Sequence, residues 1–473
     1  MLFNSWEFVL FFICIVILFY SIHHRYRIYL LLVSSYFFYM SWRWEFGVLM
    51  LGVSLMNFYV TRQFNNEKYK GWWLFITTIL SFLPLFYYKY GNFFISSFIE
   101  LGMFCGFNNN IPLLNVILPV GISFFTFEAL SYSIDVYYKK IQEEKNLIKF
   151  MTFIAFFPKL IAGPIERADN IIPQFNQVKK FNIDLAHSGV KIFIWGLFKK
   201  VVIADRLGLY ADPVFNAPEL WSSPTLALAA LFFTIQIYCD FSGYSDMAIG
   251  AARILGFRLM QNFNLPYFAH SIGEFWKRWH ISLSTWFGDY LYIPLGGNRV
   301  AISRWFFNIV IVFIISGFWH GANWTFIIWG ALHGMYYLFE YIGKMGLDRL
   351  NLGNLLQVRL YQLAKIPIVF VMVVFAWIFF RASTMQDALL IISKIIHWEG
   401  DLWWGSSSVT SVLSILLIVF LFVIQLLQHK KYVGLYDSQS KLPSWVSSLG
   451  FLVLLLGISL LGVSSNAFIY FQF

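Results

Sequence analysis

The stretch 314–324 reads Ile-Ile-Ser-Gly-Phe-Trp-His-Gly-Ala-Asn-Trp and places one histidine, His320, inside an apolar segment. An imidazole costs free energy to keep at membrane depth, so such a residue marks a functional site by default. Histidine also changes charge near neutral pH and can take and return a proton. The structural alternative is a hydrogen bond between two helices. The rest of the sequence favours the functional interpretation, with Trp319 and Asn323 beside the histidine in the same site.

The composition predicts an all-α, polytopic membrane protein. The 473 residues are 59% hydrophobic and 12% charged, about half the charge of an average globular chain. Apolar runs long enough to cross a bilayer recur along the whole chain. We expect about 11 or more transmembrane helices plus re-entrant helices in a single integral domain, 1–473, with a catalytic core at about 115–343 and a tail at 464–473. Candidate spans lie near residues 5–22, 28–42, 44–61, 72–89, 112–136, 147–163, 186–204, 224–245, 303–318, 323–342, 365–381, 409–427 and 446–463.

The charge distribution points to a membrane and not to nucleic acid. The net charge is +10, but the basic residues cluster in short loops at 24–27, 62–70, 139–145, 344–365 and 430–441. This is the positive-inside pattern, and it places both termini outside. The three cysteines have no ligand spacing, so we expect neither a disulfide framework nor a metal site.

The middle of the chain interrupts its apolar runs with glycine, proline and polar residues. Irregular backbone survives at membrane depth only where protein buries it or where it lines a watery cavity. Residues 156–334 therefore predict a central cavity, although kinked spans without a cavity would give the same pattern. Its expected lining includes Asp240, Ser242, Tyr244 and Asp246. The two aspartates are costly to bury unpaired, so we expect structural ion pairs with cations such as Arg253 or Lys159.

The densest polar constellation is the segment 271–286. As one helix, it would carry Trp276, His280 and Ser284 on one face, since they are four residues apart. Lys277 and Arg278 are positioned to bind a phosphorylated donor, or else they reach to lipid headgroups as basic side chains at a membrane interface do.

A further histidine, His333, follows His320 by 13 residues. On a continuous helix this spacing separates the two by about 20 Å and about 140° around the axis. We therefore interpret His333 as a packing residue, unless the helix breaks between them.

No serine elbow, Walker loop or His-Glu-x-x-His zinc motif is present, so acyl transfer would have to use histidine as its base. Several strings resemble the membrane-bound O-acyltransferase family, in particular the branch that acetylates alginate and related bacterial polysaccharides. They are Leu-Pro-Val-Gly-Ile-Ser-Phe at 118–124, Leu-Ile-Ala-Gly-Pro at 160–164, Asp-Phe-Ser-Gly-Tyr-Ser-Asp-Met-Ala-Ile-Gly at 240–250, Arg-Trp-His-Ile-Ser-Leu-Ser at 278–284, Leu-Tyr-Ile-Pro-Leu-Gly-Gly-Asn-Arg at 291–299 and Trp-His-Gly at 319–321.

This resemblance implies a ring of helices around a funnel in the bacterial inner membrane, with His320 as the catalytic histidine and His280 assisting. It implies acetyl-CoA as a cytoplasmic acyl donor, no bound cofactor, and an extracytoplasmic acetyltransferase partner or the exported polysaccharide as acceptor. One departure is Gly288, where family members often carry arginine. If that arginine binds the donor in the family, then Lys277 or Arg278 must compensate here, or the donor binds differently.

The tail, Phe468-Ile469-Tyr470-Phe471-Gln472-Phe473, resembles an F-x-Y-x-x-F ending in which the tyrosine is proposed to carry the acyl group. A phenol, with a pKa near 10, leaves more readily than an aliphatic alcohol. A terminal aromatic anchor is the alternative. Alternatives to polysaccharide acetylation are D-alanyl transfer to teichoic acid, peptidoglycan acylation, or a transporter or flippase without covalent chemistry.

Overall fold

The computed structural model describes residues 1–107, 111–350, 358–434, 441–463 and 469. All regular structure within these ranges is helical, and the all-α prediction is confirmed. In the same residues, six helices are long and apolar enough to cross a membrane: Trp44–Asn65, Lys70–Phe104, Ser223–Ile254, Ile302–His320, Tyr361–Arg381 and Ser408–His429. Trp6–Ser21 and Trp445–Leu461 are shorter apolar helices. The chain is a multi-pass membrane protein, while the ring around a funnel stays a prediction.

The helices fall into two compact units. One comprises residues 1–190 and 248–260, and the other comprises residues 191–247 and 261–473. Helices α10 (Ile183–Phe198) and α12 (Ser223–Ile254) contribute residues to both. The expected catalytic core at about 115–343 also draws on both units, so the expectation of a single integral domain stays a prediction.

The first unit is held together by buried polar groups as well as by apolar packing. Its helices are α1 (Trp6–Ser21), α2 (His24–Met40), α3 (Trp44–Thr61), α4 (Lys70–Leu85), α5 (Gly91–Phe104), α6 (Ile122–Tyr137), α7 (Leu147–Ala155), α8 (Phe157–Leu160) and α9 (Ala168–Phe175). The amide of Asn57 donates to the Ser81 hydroxyl at 3.1 Å and accepts from Ser133 at 2.8 Å. Asn57 thus links α3, α4 and α6, as polar side chains do between membrane helices.

The second unit contains the segments that the sequence singles out for chemistry. Its helices are α11 (Asp205–Asn216), α13 (Ile272–Arg278), α14 (Ile281–Phe287), α15 (Ile302–His320), α16 (Trp324–Arg349), α17 (Arg359–Arg381), α18 (Met385–His397), α19 (Ser408–His429) and α20 (Ser444–Leu461). The long helix α12 spans about 48 Å at 1.5 Å per residue. Most of its central part is buried, which explains why it tolerates polar residues there.

Helices α15 and α16 form a tight antiparallel pair because glycines face each other across it. A Cβ on Gly317 would lie 2.2 Å from the carbonyl oxygen of Phe326, and a Cβ on Gly330 would lie 2.2 Å from that of Phe313. Small residues allow helices to approach this closely in membranes. The chain turns between them at 321–323, where the Asn323 side chain accepts the backbone N–H of Thr325 at 3.1 Å. The helix does break between the two histidines at 320 and 333.

Most predicted spans correspond to helices, with some changes in extent. The span predicted at 72–89 is the start of a longer helical segment, Lys70–Phe104, which contains a π-helical turn at Phe86–Tyr90. The span at 224–245 extends to Ile254. The amphipathic helix α18 was not predicted, although a capping box between Thr384 and Asp387 marks its start.

Candidate active site

His320 is the last residue of α15 and is enclosed by aromatic rings. It is buried, with 2% of its surface exposed. Its ring centroid lies 5.0 Å from that of Trp319, 5.1 Å from that of Trp329 and 5.5 Å from that of Phe380. The end of the helix is fixed by the glycine contact one turn earlier and by the asparagine cap that follows. The fold therefore holds this imidazole in a defined position.

His280 lies beside His320, with 6.1 Å between the two ring centroids. It is fully buried and packs edge-on against Phe241 at 4.6 Å. Its φ of +43° is left-handed, a conformation that residues other than glycine seldom adopt. The backbone therefore breaks at His280, and α13 and α14 are separate helices. The prediction of one helix with Trp276, His280 and Ser284 on a single face is wrong.

The break at His280 is stabilised by Asn262, a residue that the sequence reasoning missed. The carbonyl oxygen of Asn262 accepts the backbone N–H of Ile281 at 2.9 Å. Its side-chain oxygen accepts both the backbone N–H of Ser282, at 3.2 Å, and the Ser282 hydroxyl, at 2.9 Å. Its amide donates to the hydroxyl of Ser245 on α12 at 3.2 Å. A fully buried asparagine thus offsets the strain of the left-handed histidine.

Trp276 and His333 also belong to this aromatic cluster. The indole N–H of Trp276 donates to Nδ1 of His333 at 3.3 Å. The Trp329 ring lies 5.1 Å from His333 and 5.1 Å from His320. Because the helix breaks at 321–323, His333 comes close to the site. The separation of about 20 Å that a continuous helix would give does not apply.

Asp240 and Asp246 form buried ion pairs with two consecutive lysines. Lys199 lies 2.8 Å from Asp246 and donates to the Ser242 hydroxyl at 2.7 Å. Lys200 lies 2.7 Å from Asp240 and 2.7 Å from Asp205. Ion pairs were expected for both aspartates, and the pairs are confirmed.

The sequence reasoning did not name Lys199 and Lys200 as the partners of these aspartates. It pointed to Arg253 or Lys159 and missed the lysine pair, although two adjacent lysines inside a predicted span at 186–204 were a visible signal. Lys159 instead pairs with Glu128.

Two local features bring the lysines to α12. A Cβ on Gly196 would lie 2.5 Å from the Gly243 carbonyl oxygen, so the helices touch there. Directly afterwards, Lys199–Ala204 form a π-helical turn, a feature frequent at functional sites.

Lys277 and Arg278, the predicted donor-binding residues, differ in their surroundings. Lys277 is exposed. The guanidinium of Arg278 donates to the carboxylate of Glu274 at 2.6 Å. Burial acts to raise the pKa of Glu274, but hydrogen bonds with His270 and the charge of Arg278 outweigh it, and the pKa is lowered. Arg278 is therefore engaged by a carboxylate, and Lys277 is the more accessible cation for a phosphate.

The other predicted lining residues make local contacts. The hydroxyl of Ser284 donates to the Trp279 carbonyl oxygen at 3.2 Å. Asn323 caps α16 and also donates to the Ser383 carbonyl oxygen at 3.0 Å. Tyr244 is fully buried, with the Lys200 ammonium 5.7 Å from its ring centroid. Whether these residues line a cavity stays a prediction.

The C-terminal segment reaches the ion-pair cluster. The backbone N–H of Val463 donates to the Val201 carbonyl oxygen at 2.9 Å. Ile469 is buried, and its backbone N–H donates to the Asp240 carboxylate at 2.7 Å. Tyr470 itself lies outside the described residues.

The site therefore joins two buried imidazoles inside an aromatic enclosure within a polytopic helical protein. Imidazoles so held can take a proton from a hydroxyl and return it to a leaving group. This is the chemistry of a membrane-embedded acyltransferase.

Comparison with known proteins agrees. Residues 137–385 match the model of MBOAT, the membrane-bound O-acyltransferase family, and both histidines lie within the match. The chain belongs to this family and is an acyltransferase.

Its relatives act on different bacterial polymers. The chain is 42% identical over 396 residues to the probable alginate O-acetylase AlgI of Pseudomonas aeruginosa, covering 82% of this chain and 73% of that protein. It is 34% identical over 402 residues to the peptidoglycan O-acetyltransferase of Helicobacter pylori, covering 78% and 74%. It is 31% identical over 238 residues to the teichoic acid D-alanyltransferase of Bacillus subtilis, covering 47% and 59%.

Proposed function

We propose that this protein moves acetyl groups from cytoplasmic acetyl-CoA across a bacterial inner membrane for O-acetylation of an exported, alginate-like polysaccharide. The observation that carries the proposal is the pair of buried histidines, 6.1 Å apart, in a chain that is 42% identical to an alginate O-acetylase. An extracytoplasmic acetyltransferase is the proposed partner that passes the acetyl group to the glycan.

In the proposed step, His320 acts as general base on the acceptor hydroxyl. The imidazole takes the hydroxyl proton while the oxygen attacks the acetyl carbon of the thioester. The carbon–sulfur bond then breaks, and the imidazolium returns the proton to the departing thiolate. His280 supports the step as a positioning residue, and polar groups near His280 stabilise the developing oxyanion.

Different residues are proposed to bind the donor and to accept the acyl group. Lys277 is an exposed cation at the end of α13, suited to a phosphate of the donor. Tyr470 is the proposed acyl relay on the acceptor side. Its support is the neighbouring residue Ile469, which is buried and hydrogen-bonded to Asp240. Asp240 in turn precedes Phe241, which packs on His280.

Peptidoglycan is the second candidate acceptor, because a peptidoglycan O-acetyltransferase is 34% identical over most of the chain. D-alanyl transfer has less support, since the D-alanyltransferase match covers 47% of the chain. Mass analysis of each surface polymer, with and without this protein, distinguishes the three by which polymer loses its acyl groups.

The test of the proposed base is His320→Ala in cells that make the polymer. We expect polymer acetylation to be abolished while the protein still accumulates in the membrane. The matched control is His397→Ala, because His397 is an exposed histidine at the end of α18. Full acetylation by the His320 variant would overturn the proposed role of His320 as the general base.

A further inference from the structure

Two buried N–H donors lie on α16, and one of them, Trp329, packs against the proposed catalytic histidine, His320. Trp329 and His333 are four residues apart and therefore share one face of the helix, and both side chains are fully buried. The Trp329 ring contacts both His320 and His333, with 5.1 Å between centroids in each case. The proposed chemistry at His320 does not yet use either donor.

The hydrogen bond from Trp276 fixes which nitrogen of His333 carries the proton. An indole nitrogen can only donate, so Nδ1 of His333 must be the acceptor in this contact. In the neutral ring the proton then sits on Nε2. His333 thus presents an N–H donor on the side of the ring away from Trp276.

Both donors lack an acceptor in the part of the chain that the structure describes. Neither Nε1 of Trp329 nor Nε2 of His333 makes a hydrogen bond there. Buried polar groups are almost always satisfied, and a specific exception in a native site calls for an explanation. Two neighbouring donors without acceptors fit a ligand that offers an oxygen and no hydrogen.

We propose that the indole N–H of Trp329 and the Nε2–H of His333 bind the carbonyl oxygen of the acyl thioester and stabilise the oxyanion that it becomes. The inference rests on the proposed acyl transfer. When the acceptor oxygen bonds to the acyl carbon, the electron pair of the C=O bond moves onto the carbonyl oxygen of the thioester. It returns as the carbon–sulfur bond breaks, and His320 delivers the proton to the thiolate. Donors aimed at such an oxygen act mainly on the transition state.

The test measures kcat and KM for acetyl-CoA with full-length protein reconstituted in vesicles. Trp329→Phe and His333→Met each remove one donor and keep an apolar side chain. We expect kcat to fall roughly a hundredfold to a thousandfold for each, as for the loss of one oxyanion donor elsewhere. Inhibition by CoA, which has no acyl oxygen, should stay unchanged. His333→Gln, which restores an N–H near the Nε2 position, should recover part of the lost kcat.

Trp377→Phe is the matched control. Trp377 is buried, its N–H also lacks an acceptor in the described chain, and its ring stacks 5.5 Å from that of Trp329. Its described ring contacts include no histidine. We expect it to keep kcat within about threefold, because its described ring contacts are with Trp279, Trp329 and Phe380 and not with His320 or His333. An equal loss in this control, or wild-type kcat in both donor variants, overturns the inference. If the wild-type protein consumes no acetyl-CoA, or His320→Ala consumes it normally, the proposed function fails instead.

Discussion

Replacing Gly317 by alanine tests whether the close contact of α15 and α16 positions His320, the proposed catalytic histidine. The added Cβ would lie 2.2 Å from the Phe326 carbonyl oxygen and 3.2 Å from the Gly330 Cα. A carbon–oxygen contact normally needs about 3.3 Å, so the helices must separate by roughly 1 Å. The obstacle is backbone and cannot rotate away. Overpacking of this kind costs about 1–3 kcal/mol, and a misplacement of about 1 Å can lower a rate about a hundredfold.

The assay compares the unfolding temperature in detergent with the rate of acetyl transfer. We expect both to fall for Gly317→Ala, with the rate falling further than the loss of folded protein explains. Gly343→Ala, on the partner helix α16, is the control, because a Cβ there meets no atom within 4 Å. Alanine in an exposed helix should be neutral or stabilise by about 0.5–1 kcal/mol. If Gly317→Ala matches the wild type in both measurements, the glycine contact does not position His320.

Three further predictions concern the buried ion pairs, the bend at His280 and the C-terminal tyrosine. Lys200→Met removes the cation shared by two buried aspartates and should cost about 3–5 kcal/mol of stability. Lys139→Met, at an exposed ion pair with Glu67, should leave the unfolding temperature unchanged. Equal effects of the two substitutions would mean that the buried ion pair contributes no more to stability than the exposed one. Asn262→Ala removes three side-chain hydrogen bonds that hold the bend at His280. We therefore expect kcat to fall while KM for acetyl-CoA changes little. An unchanged kcat would show that these hydrogen bonds are not needed to keep His280 in position. Tyr470→Phe should abolish polymer acetylation if the phenol carries the acyl group, and unchanged acetylation would eliminate the relay.

The residues that the sequence reasoning predicted best are those whose chemistry is visible in the residue type alone. A histidine in an apolar run is costly wherever the chain folds, so His320 could be singled out before any contact was known. The same argument identified Asp240 and Asp246 as members of buried ion pairs. Helix positions followed from the length of apolar runs, which depends on local sequence.

The geometry of the site depends on contacts between residues far apart in the chain, which the periodicity of the sequence does not predict. A helical face assumes regular dihedral angles, and His280 departs from them only because Asn262, 18 residues earlier in the chain, holds the bend. The partners of the aspartates depended on a glycine contact and a π-helical turn. His333 was interpreted as a packing residue on the assumption of a continuous helix, but α15 ends at His320 and Asn323 caps the start of α16.

The central claim is that a buried imidazole performs acyl transfer, and its most direct test is transfer of labelled acetyl from acetyl-CoA by purified protein in vesicles. The account predicts that wild-type protein releases CoA and moves the label to a hydroxyl acceptor, and that His320→Ala does neither while folding normally. Transfer at the wild-type rate by His320→Ala would contradict it.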